Sequence, residues 1–366
     1  MALYIKGWRQ YRKPQTIPAK TGTPSLSVII PARNEAENIG RCVRSILDNH
    51  YPSHLLEIIV IDDFSEDDTA AIAREMLQGG QGRVLSLKEY LSKDERLNSY
   101  KKKALEIAIG EAKGDWIITT DADCEVPLTW LQALTNAMQD PQVKFVAAPV
   151  SFTPALPRRD LMYYFQSLDF MTMQGITAAS AAANLGNMCN GANLAFEEKA
   201  FDAVGGYKDI DHIASGDDML LMYKIRRQFP GSIAYLRSEQ AIVHTPAQPD
   251  WKSFLNQRIR WSSKADKYDD KKLTAILAFV YFFNLSFVPL FVAGFFNFFY
   301  WKWMFGILFA KIVIELVFLA PVAAFYGKMR ELWYFPLLQP LHITYIIMAG
   351  FLGKFGSYQW KGRTVK

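Results

Sequence analysis

The C-terminal quarter of the chain is almost free of charged residues, and this constrains its fold more than any other feature. The 366 residues include 41 basic and 36 acidic ones, yet only six of these lie between Leu273 and Gly353. About 20 apolar residues are enough for a helix to cross the hydrocarbon core of a bilayer. We therefore predict a multi-pass integral membrane protein: a soluble body followed by candidate segments at residues 273–300, 303–326 and 332–353.

Basic residues flank this region on both sides and predict its orientation, because positive residues favour the cytosolic side of a membrane. One cluster precedes the first segment: Lys264, Lys267, Lys271 and Lys272. Another follows the last: Lys354, Lys361, Arg363 and Lys366. Three full crossings would separate clusters that favour the same side. The third segment is therefore expected to be re-entrant or interfacial, since Pro336, Gln339, Pro340 and His342 interrupt its apolar character. The soluble body is expected in the cytosol, at a bacterial cell membrane.

One pair of opposite charges lies inside the second segment. Lys311 and Glu315 are four residues apart and so share a face of a helix. Charges in lipid are costly unless they satisfy each other or face protein. We expect a structural pair, and a proton relay is the alternative.

Ahead of the membrane region, apolar runs of strand length alternate with stretches of helical period. Strands are predicted at residues 26–30, 57–61, 83–87, 116–120 and 144–149, and helices at residues 37–47, 69–76, 103–112 and 129–138. This alternation predicts an α/β fold with a parallel sheet, covered on both faces by right-handed crossovers. The expected domains are a basic interfacial segment (1–25), a cytosolic domain (26–265) and the membrane region (266–366).

Polar residues follow three of these strands, at the edge where such sheets bind ligands. They are residues 31–35 after the first strand, Asp62 and Asp63 after the second, and Asp121 and Asp123 after the fourth. Helix capping explains any one cluster equally well, but capping alone does not account for all three. Two carboxylates at i and i+2 can reach one divalent cation, for which Mg²⁺ and Mn²⁺ are suited. Such an ion stabilises a diphosphate leaving group.

Several other classes of function lack support. The chain has neither the Gly-rich dinucleotide fingerprint nor the P-loop motif. Its three cysteines are too far apart for a disulfide framework or a zinc site. The net charge of +5 is modest, and basic residues crowd near the apolar segments and the N-terminus, which favours lipid headgroups over nucleic acid. No nucleic-acid partner is expected.

Five motifs, in a fixed order ahead of the membrane tail, resemble those of family 2 glycosyltransferases. They are SVIIPARNE from Ser27, VIDDFSEDDT from Val60, DAD from Asp121, GDD from Gly216 and QRIRW from Gln257. The chain is similar to the membrane-bound branch that includes cellulose, hyaluronan, chitin and ceramide glucosyl transferases. The resemblance covers roughly residues 26–261. It implies a GT-A fold with a mixed, mostly parallel sheet, and an inverting transferase that uses a nucleotide-diphosphate sugar with Mg²⁺ or Mn²⁺.

The resemblance also implies roles for individual residues. The nucleotide-sugar pocket is expected to comprise Pro31, Ala32, Arg33, Glu35, Asp63, Lys101 and Asp121. Asp123 is expected to bind the metal, and Asp218 to act as the general base. The diphosphate and acceptor are expected to contact Asp217, Gln257, Arg260 and Trp261.

The chemistry of these residue types agrees with the implied roles. An acceptor hydroxyl needs a carboxylate that takes its proton as it attacks the anomeric carbon. On a helix, Gln257, Arg260 and Trp261 share one face, so Arg260 can meet phosphate while Trp261 stacks on a sugar or lipid headgroup. Membrane-interface anchoring is the alternative for Trp261. Lys102 and Lys103 are expected in solvent, and Asn193 either near the acceptor or as a turn residue.

The expected substrate is a UDP-sugar, although the residues that would read its base and sugar are not identified. The tail offers too few helices for a polymer channel, so transfer of one sugar to a lipid or membrane-associated acceptor fits better. The N-terminal segment resembles the cytosolic end of a membrane helix. The alternatives are a nucleotide-binding membrane scaffold without turnover and a nucleotidyltransferase, while transport is disfavoured.

Overall fold

The computed structural model describes residues 1–11, 22–91, 97, 99–155, 159–183, 188–213, 216–263, 271–355, 358–360 and 363–365. The helices are α1 (Ala2–Gln10), α2 (Ile39–Leu47), α3 (Thr69–Met76), α4 (Leu87–Tyr90), α5 (Tyr100–Gly110), α6 (Trp130–Met138), α7 (Leu161–Ala183), α8 (Glu198–Ala203), α9 (Asp217–Gln228), α10 (Trp251–Ser262), α11 (Lys271–Leu285), α12 (Phe287–Gly294), α13 (Phe298–Phe325) and α14 (Phe335–Phe355). The strands are β1 (Leu26–Ala32), β2 (Leu56–Asp62), β3 (Gly82–Ser86), β4 (Trp116–Thr119), β5 (Phe145–Ala147), β6 (Val150–Thr153), β7 (Leu194–Glu197), β8 (Ile233–Tyr235), β9 (Val243–Pro246), β10 (Tyr358–Trp360) and β11 (Arg363–Val365).

The chain divides into two compact units. The helical unit comprises Met1–Tyr11, Phe152–Gly186 and Ala247–Lys366. The sheet unit comprises Arg12–Ser151 and Asn187–Pro246. Helices α7 and α10 thus belong to the same unit as the apolar C-terminal helices, and the domain bounds predicted from sequence stay a prediction.

Within the described residues, the sheet unit contains a seven-stranded sheet in the order β3-β2-β1-β4-β7-β5-β8. Strands β3, β2, β1 and β4 are mutually parallel, as predicted. β7 runs antiparallel to both of its neighbours, and β8 is parallel to β5. The sheet is therefore mixed and mostly parallel, which confirms the expected architecture.

Burial of apolar side chains explains why the central strands form. Every residue of β1 except Pro31 is buried, and so is every residue of β2 except Glu57. Such continuous burial is typical of parallel strands that are covered on both faces. The register pairs Leu26 with Leu56 and Ala32 with Asp62, so the polar residues that follow both strands lie at the same edge.

The predicted strand at residues 144–149 is wrong in extent. The structure instead has β5 and β6, which are separated by Ala148 and Pro149. Proline has no amide hydrogen to donate to a ladder. The Pro149 carbonyl accepts from Asn193 Nδ2 at 2.7 Å and from the amide of Val243, the first residue of β9, at 3.1 Å. The backbone here therefore bonds to a side chain and to the start of β9 and does not continue the β5 ladder.

In the helical unit, the described residues include three helical stretches that are long and apolar enough to cross a membrane. They span Lys272–Gly294, Phe298–Phe325 and Met329–Lys354. The first break lies at residues 295–297 rather than at 301–302 as predicted, because the Asn297 side chain accepts from the Phe299 amide at 2.9 Å and begins α13 there. The third stretch is helical despite its prolines, and its re-entrant placement stays a prediction.

The charged pair in α13 contacts a polar residue of the neighbouring helix α14. Lys311 Nζ donates to Glu315 Oε2 at 2.8 Å and to Gln339 Oε1 of α14 at 2.6 Å. The Lys311 side chain is buried. These contacts satisfy the pair against the neighbouring helix and support the structural interpretation.

The N-terminal helix packs within the helical unit. Gly7 allows α1 to approach α7 closely, because a Cβ at this position would overlap the Ala179 carbonyl. The Trp8 ring meets Phe325 edge-on, with 5.9 Å between their centroids. The face of α1 that is exposed carries Leu3, Lys6 and Arg9. Arg12, Lys13 and Lys20, which are also basic residues near the N-terminus, lie outside the described residues.

Candidate active site

The carboxyl ends of β1 and β2 lie side by side and form a compact polar corner. The Asp63 amide donates to the Ala32 carbonyl at 2.8 Å. Arg33 Nη1 donates to the carbonyl oxygens of Asp63 at 2.8 Å and Phe64 at 3.2 Å, and it lies 3.9 Å from Asp63 Oδ1. The structure therefore brings together Arg33 and Asp63, two residues expected at the nucleoside.

The other residues expected in this pocket come from the end of β1 and the turn after it. Pro31 and Ala32 are the last two residues of the strand. The Glu35 amide donates to Thr69 Oγ1 at 2.8 Å, and Glu35 Oε2 accepts from Asn38 Nδ2 at 2.8 Å. Glu35 thus also supports the start of α2 and its link to α3.

Two residues at this edge adopt a left-handed backbone conformation. Asn34 has a φ of 50° and Phe64 a φ of 56°. A residue with a side chain pays about 1–3 kcal/mol for such strain, which tends to occur at functional sites. The Phe64 ring meets the Tyr100 ring edge-on at 5.9 Å, and Lys88 Nζ lies 5.7 Å from its centroid. Sequence reasoning missed Phe64, although a bulky residue directly after two acidic ones was a signal.

Lys101 connects two of the acidic clusters. It lies in the first turn of α5, and the Ser99 side chain caps this helix by accepting from the Lys102 amide. Lys101 Nζ is 2.8 Å from Asp121 Oδ1 and 3.4 Å from Asp217 Oδ2. Burial disfavours its charge, but the Asp121 and Asp217 carboxylates outweigh burial and raise the pKa of Lys101. The ammonium is therefore a fixed positive charge between two carboxylates.

Asp217 and Asp218 begin α9, where helix dipoles favour negative charge. Gly216 precedes them with a φ of 81°, which glycine adopts without strain. Asp218 Oδ2 accepts from the Gly191 amide at 3.1 Å, and Asp218 Oδ1 accepts from the Met219 amide at 2.7 Å. These bonds hold the Asp218 carboxylate in one orientation.

Gly191 marks the point where the charged groups converge. A Cβ on Gly191 would lie 3.5 Å from Asp217 Oδ2, 3.6 Å from Lys101 Nζ and 3.8 Å from the Asp218 Cβ. Its carbonyl accepts from Thr119 Oγ1, at the end of β4, at 2.8 Å. The structure therefore gathers Lys101, Asp121, Asp217 and Asp218 around one short turn, although they are far apart in sequence.

The residues after β4 suit a divalent cation that is shared with a ligand. Asp121 and Asp123 lie on one turn, and Asp123 Oδ1 accepts from Cys124 Sγ at 3.5 Å. Among the residues that the structure describes, no group of three or more His, Cys, Asp or Glu could enclose a metal. Mg²⁺ is commonly bound by one or two carboxylates together with substrate phosphates. The donor set therefore fits a cation that a diphosphate helps to bind.

Two buried thiols lie behind this turn. Cys42 Sγ donates to the Asp121 carbonyl at 3.5 Å, and both Cys42 and Cys124 are fully buried. Burial, followed by the nearby Asp123 and Asp121 carboxylates, raises the pKa of both thiols. They are therefore neutral packing groups beneath the acidic turn.

The expectation that Lys102 lies in solvent is wrong. Its side chain is 1% exposed, and its Nζ donates to the carbonyl oxygens of Ile210 and Ile213 at 2.6 Å each. Lys103, in contrast, forms a partly exposed pair with Glu106 at 2.9 Å. Lys102 thus fixes a turn that leads towards Gly216 and the acidic start of α9.

Asn193 supports the turn and is fully buried. Its Nδ2 donates to the Pro149 and Ala241 carbonyls at 2.7 Å each, and its Oδ1 accepts from Trp130 Nε1 at 2.9 Å. Of the two interpretations offered by the sequence, the structure favours the turn-stabilising one.

The remaining predicted residues belong to the helical unit. Gln257, Arg260 and Trp261 lie on α10, so their i, i+3, i+4 spacing places them on one helix face. Gln257 Oε1 accepts from Arg258 Nη1 at 2.7 Å. The Trp261 ring is half-buried, 5.9 Å from Phe170 and 4.2 Å from Arg258 Cζ.

Two family models and several known proteins match this chain. A model of glycosyl transferase family 2 matches residues 27–186, and one of glycosyl transferase family group 2 matches residues 116–349. Glycosyltransferase AglE from Haloferax volcanii is 29% identical over 196 residues, which are 54% of this chain and 59% of AglE. Probable glycosyltransferase YdaM from Bacillus subtilis is 24% identical over 247 residues, which are 65% of this chain and 54% of YdaM. The chain thus spans somewhat more than half the length of these relatives.

A solved structure extends the similarity to nearly the whole chain. Mannosyltransferase PcManGT from Pyrobaculum calidifontis, in complex with GDP-Man and Mn²⁺, is similar with a TM-score of 0.56 at 20% identity. The similarity covers 96% of this chain and 93% of that one, which shows a shared fold. The second family model covers well over half of the sequence. The chain therefore belongs to glycosyltransferase family 2 and has a GT-A fold.

Proposed function

We propose that this protein is a membrane-bound inverting glycosyltransferase, which moves one sugar from a nucleotide-diphosphate sugar to a hydroxyl of a lipid or membrane-associated acceptor. One observation carries the proposal: Lys101, Asp121, Asp217 and Asp218 converge around Gly191, at the edge of the sheet. This edge is where α/β sheets bind ligands, and family membership supplies the class of reaction.

The donor is proposed to bind along this edge. Its nucleoside lies against Arg33 and Asp63, with Pro31, Ala32 and Glu35 beside them, and its diphosphate faces Lys101 and Asp121. A UDP-sugar is the expected donor. PcManGT was solved with GDP-Man, so a GDP-sugar is the first alternative to test.

A divalent cation, Mg²⁺ or Mn²⁺, is proposed to bind Asp123 together with Asp121. When bound, it would screen the diphosphate and stabilise it as a leaving group. Lys101 contributes a second positive charge beside Asp121. The presence of Mn²⁺ in the PcManGT complex agrees with a divalent ion at this fold.

Asp218 is proposed as the general base. An acceptor hydroxyl must lose its proton as it attacks the anomeric carbon, and a carboxylate within hydrogen-bond reach can take it. Attack opposite the departing diphosphate inverts the anomeric configuration. The bonds from the Gly191 and Met219 amides hold Asp218 in place for this step.

The acceptor is proposed to be a membrane component, because the described residues of the helical unit include three helical stretches that are long and apolar enough to cross a membrane. Gln257, Arg260 and Trp261 are proposed to contact the diphosphate and the acceptor, as their motif implies. The cytosolic leaflet is the proposed place of transfer.

Incubation of membranes with a panel of UDP- and GDP-sugars tests the proposal directly. Each reaction contains Mg²⁺ or Mn²⁺, and mass spectrometry then measures the extracted lipids. We expect one lipid to gain the mass of a single sugar, and membranes that contain Asp218→Asn to form little of it. Donor binding without any product would instead support a scaffold. A lipid that gains a nucleotidyl group would support a nucleotidyltransferase.

A further inference from the structure

Arg258 lies between the three motif residues of α10 but was not among the residues expected to act. Its side chain is 2% exposed, which is unusual for an arginine. Because a buried guanidinium needs partners for its charge and its donors, its contacts indicate what it stabilises.

Two of these contacts are with motif residues. Arg258 Nη1 donates to Gln257 Oε1 at 2.7 Å, and Arg258 Cζ lies 4.2 Å from the Trp261 ring centroid. Arginine offers only donors, so the amide of Gln257 must present its oxygen to Arg258. Its nitrogen then points elsewhere, and among the described residues Gln257 Nε2 donates to no partner. Arg258 therefore determines which end of the Gln257 amide remains for a ligand.

A buried carboxylate of α7 anchors the guanidinium. Arg258 Nε donates to Asp169 Oδ2 at 2.9 Å. Burial disfavours the Asp169 charge, but Arg258 and His342 outweigh burial and lower the pKa of Asp169. His342 Nε2 lies 3.6 Å from Asp169 Oδ1, and Tyr345 donates to Asp169 Oδ2 at 3.5 Å. Helices α7, α10 and α14 thus share one charged centre.

We infer that Arg258 is a positioning residue for sugar transfer. Anchored on Asp169, it fixes the Gln257 amide and the Trp261 indole in one geometry for the ligand groups that these two side chains are proposed to contact. The inference rests on the function proposed above for Gln257 and Trp261. It extends that function to a residue whose own donors face the protein interior.

Arginine is suited to this task, and lysine is not. The planar guanidinium can bond a carboxylate with one edge, an amide oxygen with another and an aromatic ring with its face. A lysine ammonium could keep the charge pair with Asp169. It has neither the planar face that packs on Trp261 nor the forked N–H donors that bond Asp169 and Gln257 together. Arg258→Lys therefore separates the positioning role from the charge.

The test compares Arg258→Lys with Ser262→Ala. Ser262 lies on the same helix, and its hydroxyl donates to the Ala349 carbonyl of α14 at 2.7 Å, so this control also loses a contact between helices. For Arg258→Lys we expect kcat/KM for the acceptor to fall by about 10- to 100-fold, since a misplacement of about 1 Å can cost about a hundredfold in rate. For Ser262→Ala we expect any fall in kcat/KM for the acceptor to be accounted for by the fall in Tm.

A double-mutant cycle with Gln257→Ala distinguishes positioning from a merely structural role. If Arg258 acts through Gln257, Arg258→Lys should lower kcat/KM for the acceptor much less in the Gln257→Ala background than in the natural protein. The inference would be overturned if Arg258→Lys lowered kcat/KM by the same factor in both backgrounds. It would also be overturned if the fall in kcat/KM only followed the fall in Tm. If Arg258→Lys does not fold, Arg258→Gln combined with Asp169→Asn removes both buried charges and enters the same cycle.

The cycle also separates this inference from the proposed function. If Gln257→Ala and Trp261→Phe both transfer at the natural rate, the proposed roles of these residues fail, and the inference fails with them. If these variants are impaired while Arg258→Lys is not, only the inference fails.

Discussion

The buried side-chain amide of Asn193 provides a stringent test of how the turn around Gly191 is built. Asn193 follows Gly191 closely, and Gly191 donates its amide to Asp218. Replacing Asn193 with alanine removes three hydrogen bonds at once, to Pro149, Ala241 and Trp130. We expect a less stable sheet unit and a turn that orients Asp218 less well.

The expected magnitude follows from these bonds. Each contributes about 1 kcal/mol net, and a partner left buried without a bond costs about 1–3 kcal/mol. Some partners will find other bonds or water, so we expect a loss of about 3–5 kcal/mol in the free energy of unfolding. For a domain of this size that corresponds to a fall in Tm of roughly 10 °C or more.

Thermal unfolding of the purified protein in detergent measures this change. Asn136→Ala is the matched control, because Asn136 is exposed on α6, where its Oδ1 accepts from Gln132 Nε2 at 3.0 Å. The rate of transfer should fall with Asn193→Ala and not with the control. A Tm for Asn193→Ala within about 2 °C of the natural protein would refute the reasoning, since it corresponds to less than about 1 kcal/mol.

Three lysines give further predictions. Lys101→Met leaves Asp121 and Asp217 without their shared cation, so donor affinity should fall by about 10- to 100-fold, the order expected for a charged hydrogen bond; unchanged donor titrations would contradict this. Lys102→Met removes two bonds to the turn at residues 210–213 and should lower Tm, while Lys103→Met, which breaks only a partly exposed pair, should not. Burial lowers the pKa of Lys328 from its ordinary 10.5 to about 8, against the opposing effect of Glu331. Between these values the unfolded chain binds more protons, so this residue should make stability rise with pH from about 8 to 10.5. The measurement is Tm as a function of pH: over that range the Tm of Lys328→Met should rise less than that of the natural protein.

The parallel half of the sheet could be predicted from sequence because its signals are local. Each strand is a short apolar run between helical stretches, and the predicted helix at residues 69–76 coincides with α3. The acidic ends of β1, β2 and β4 follow from the rule that parallel strands share one carboxyl edge. Their meeting with Asp217 and Asp218 required the resemblance to a family as well.

Other features depend on contacts between distant parts of the chain. β7 enters the sheet antiparallel, and no local pattern at residues 194–197 specifies that direction. Lys102 bonds to carbonyls more than a hundred residues away, and Arg258 pairs with Asp169 across 89 positions. In sequence both resemble surface charges, since only the folded chain brings their partners to them.

The break between the first two apolar helices illustrates the limit of hydropathy. Charge alone placed it near Lys302, but this residue lies inside α13 with its Nζ 5.6 Å from the Phe298 ring. The cap formed by Asn297 determines where the helix begins. An apolar helix can thus accommodate a long charged side chain such as Lys302. The position of the N-cap residue determines where the helix begins.

The most direct test of the account is a single-turnover measurement with Asp218→Asn. This variant keeps the size of the side chain but cannot accept the proton of the acceptor hydroxyl as a carboxylate does. Asp211→Asn, at an exposed carboxylate on the neighbouring turn, is the matched control. We predict that Asp218→Asn binds donor about as well as the natural protein and transfers sugar at least about a hundredfold more slowly. Transfer at the natural rate by Asp218→Asn would contradict the account.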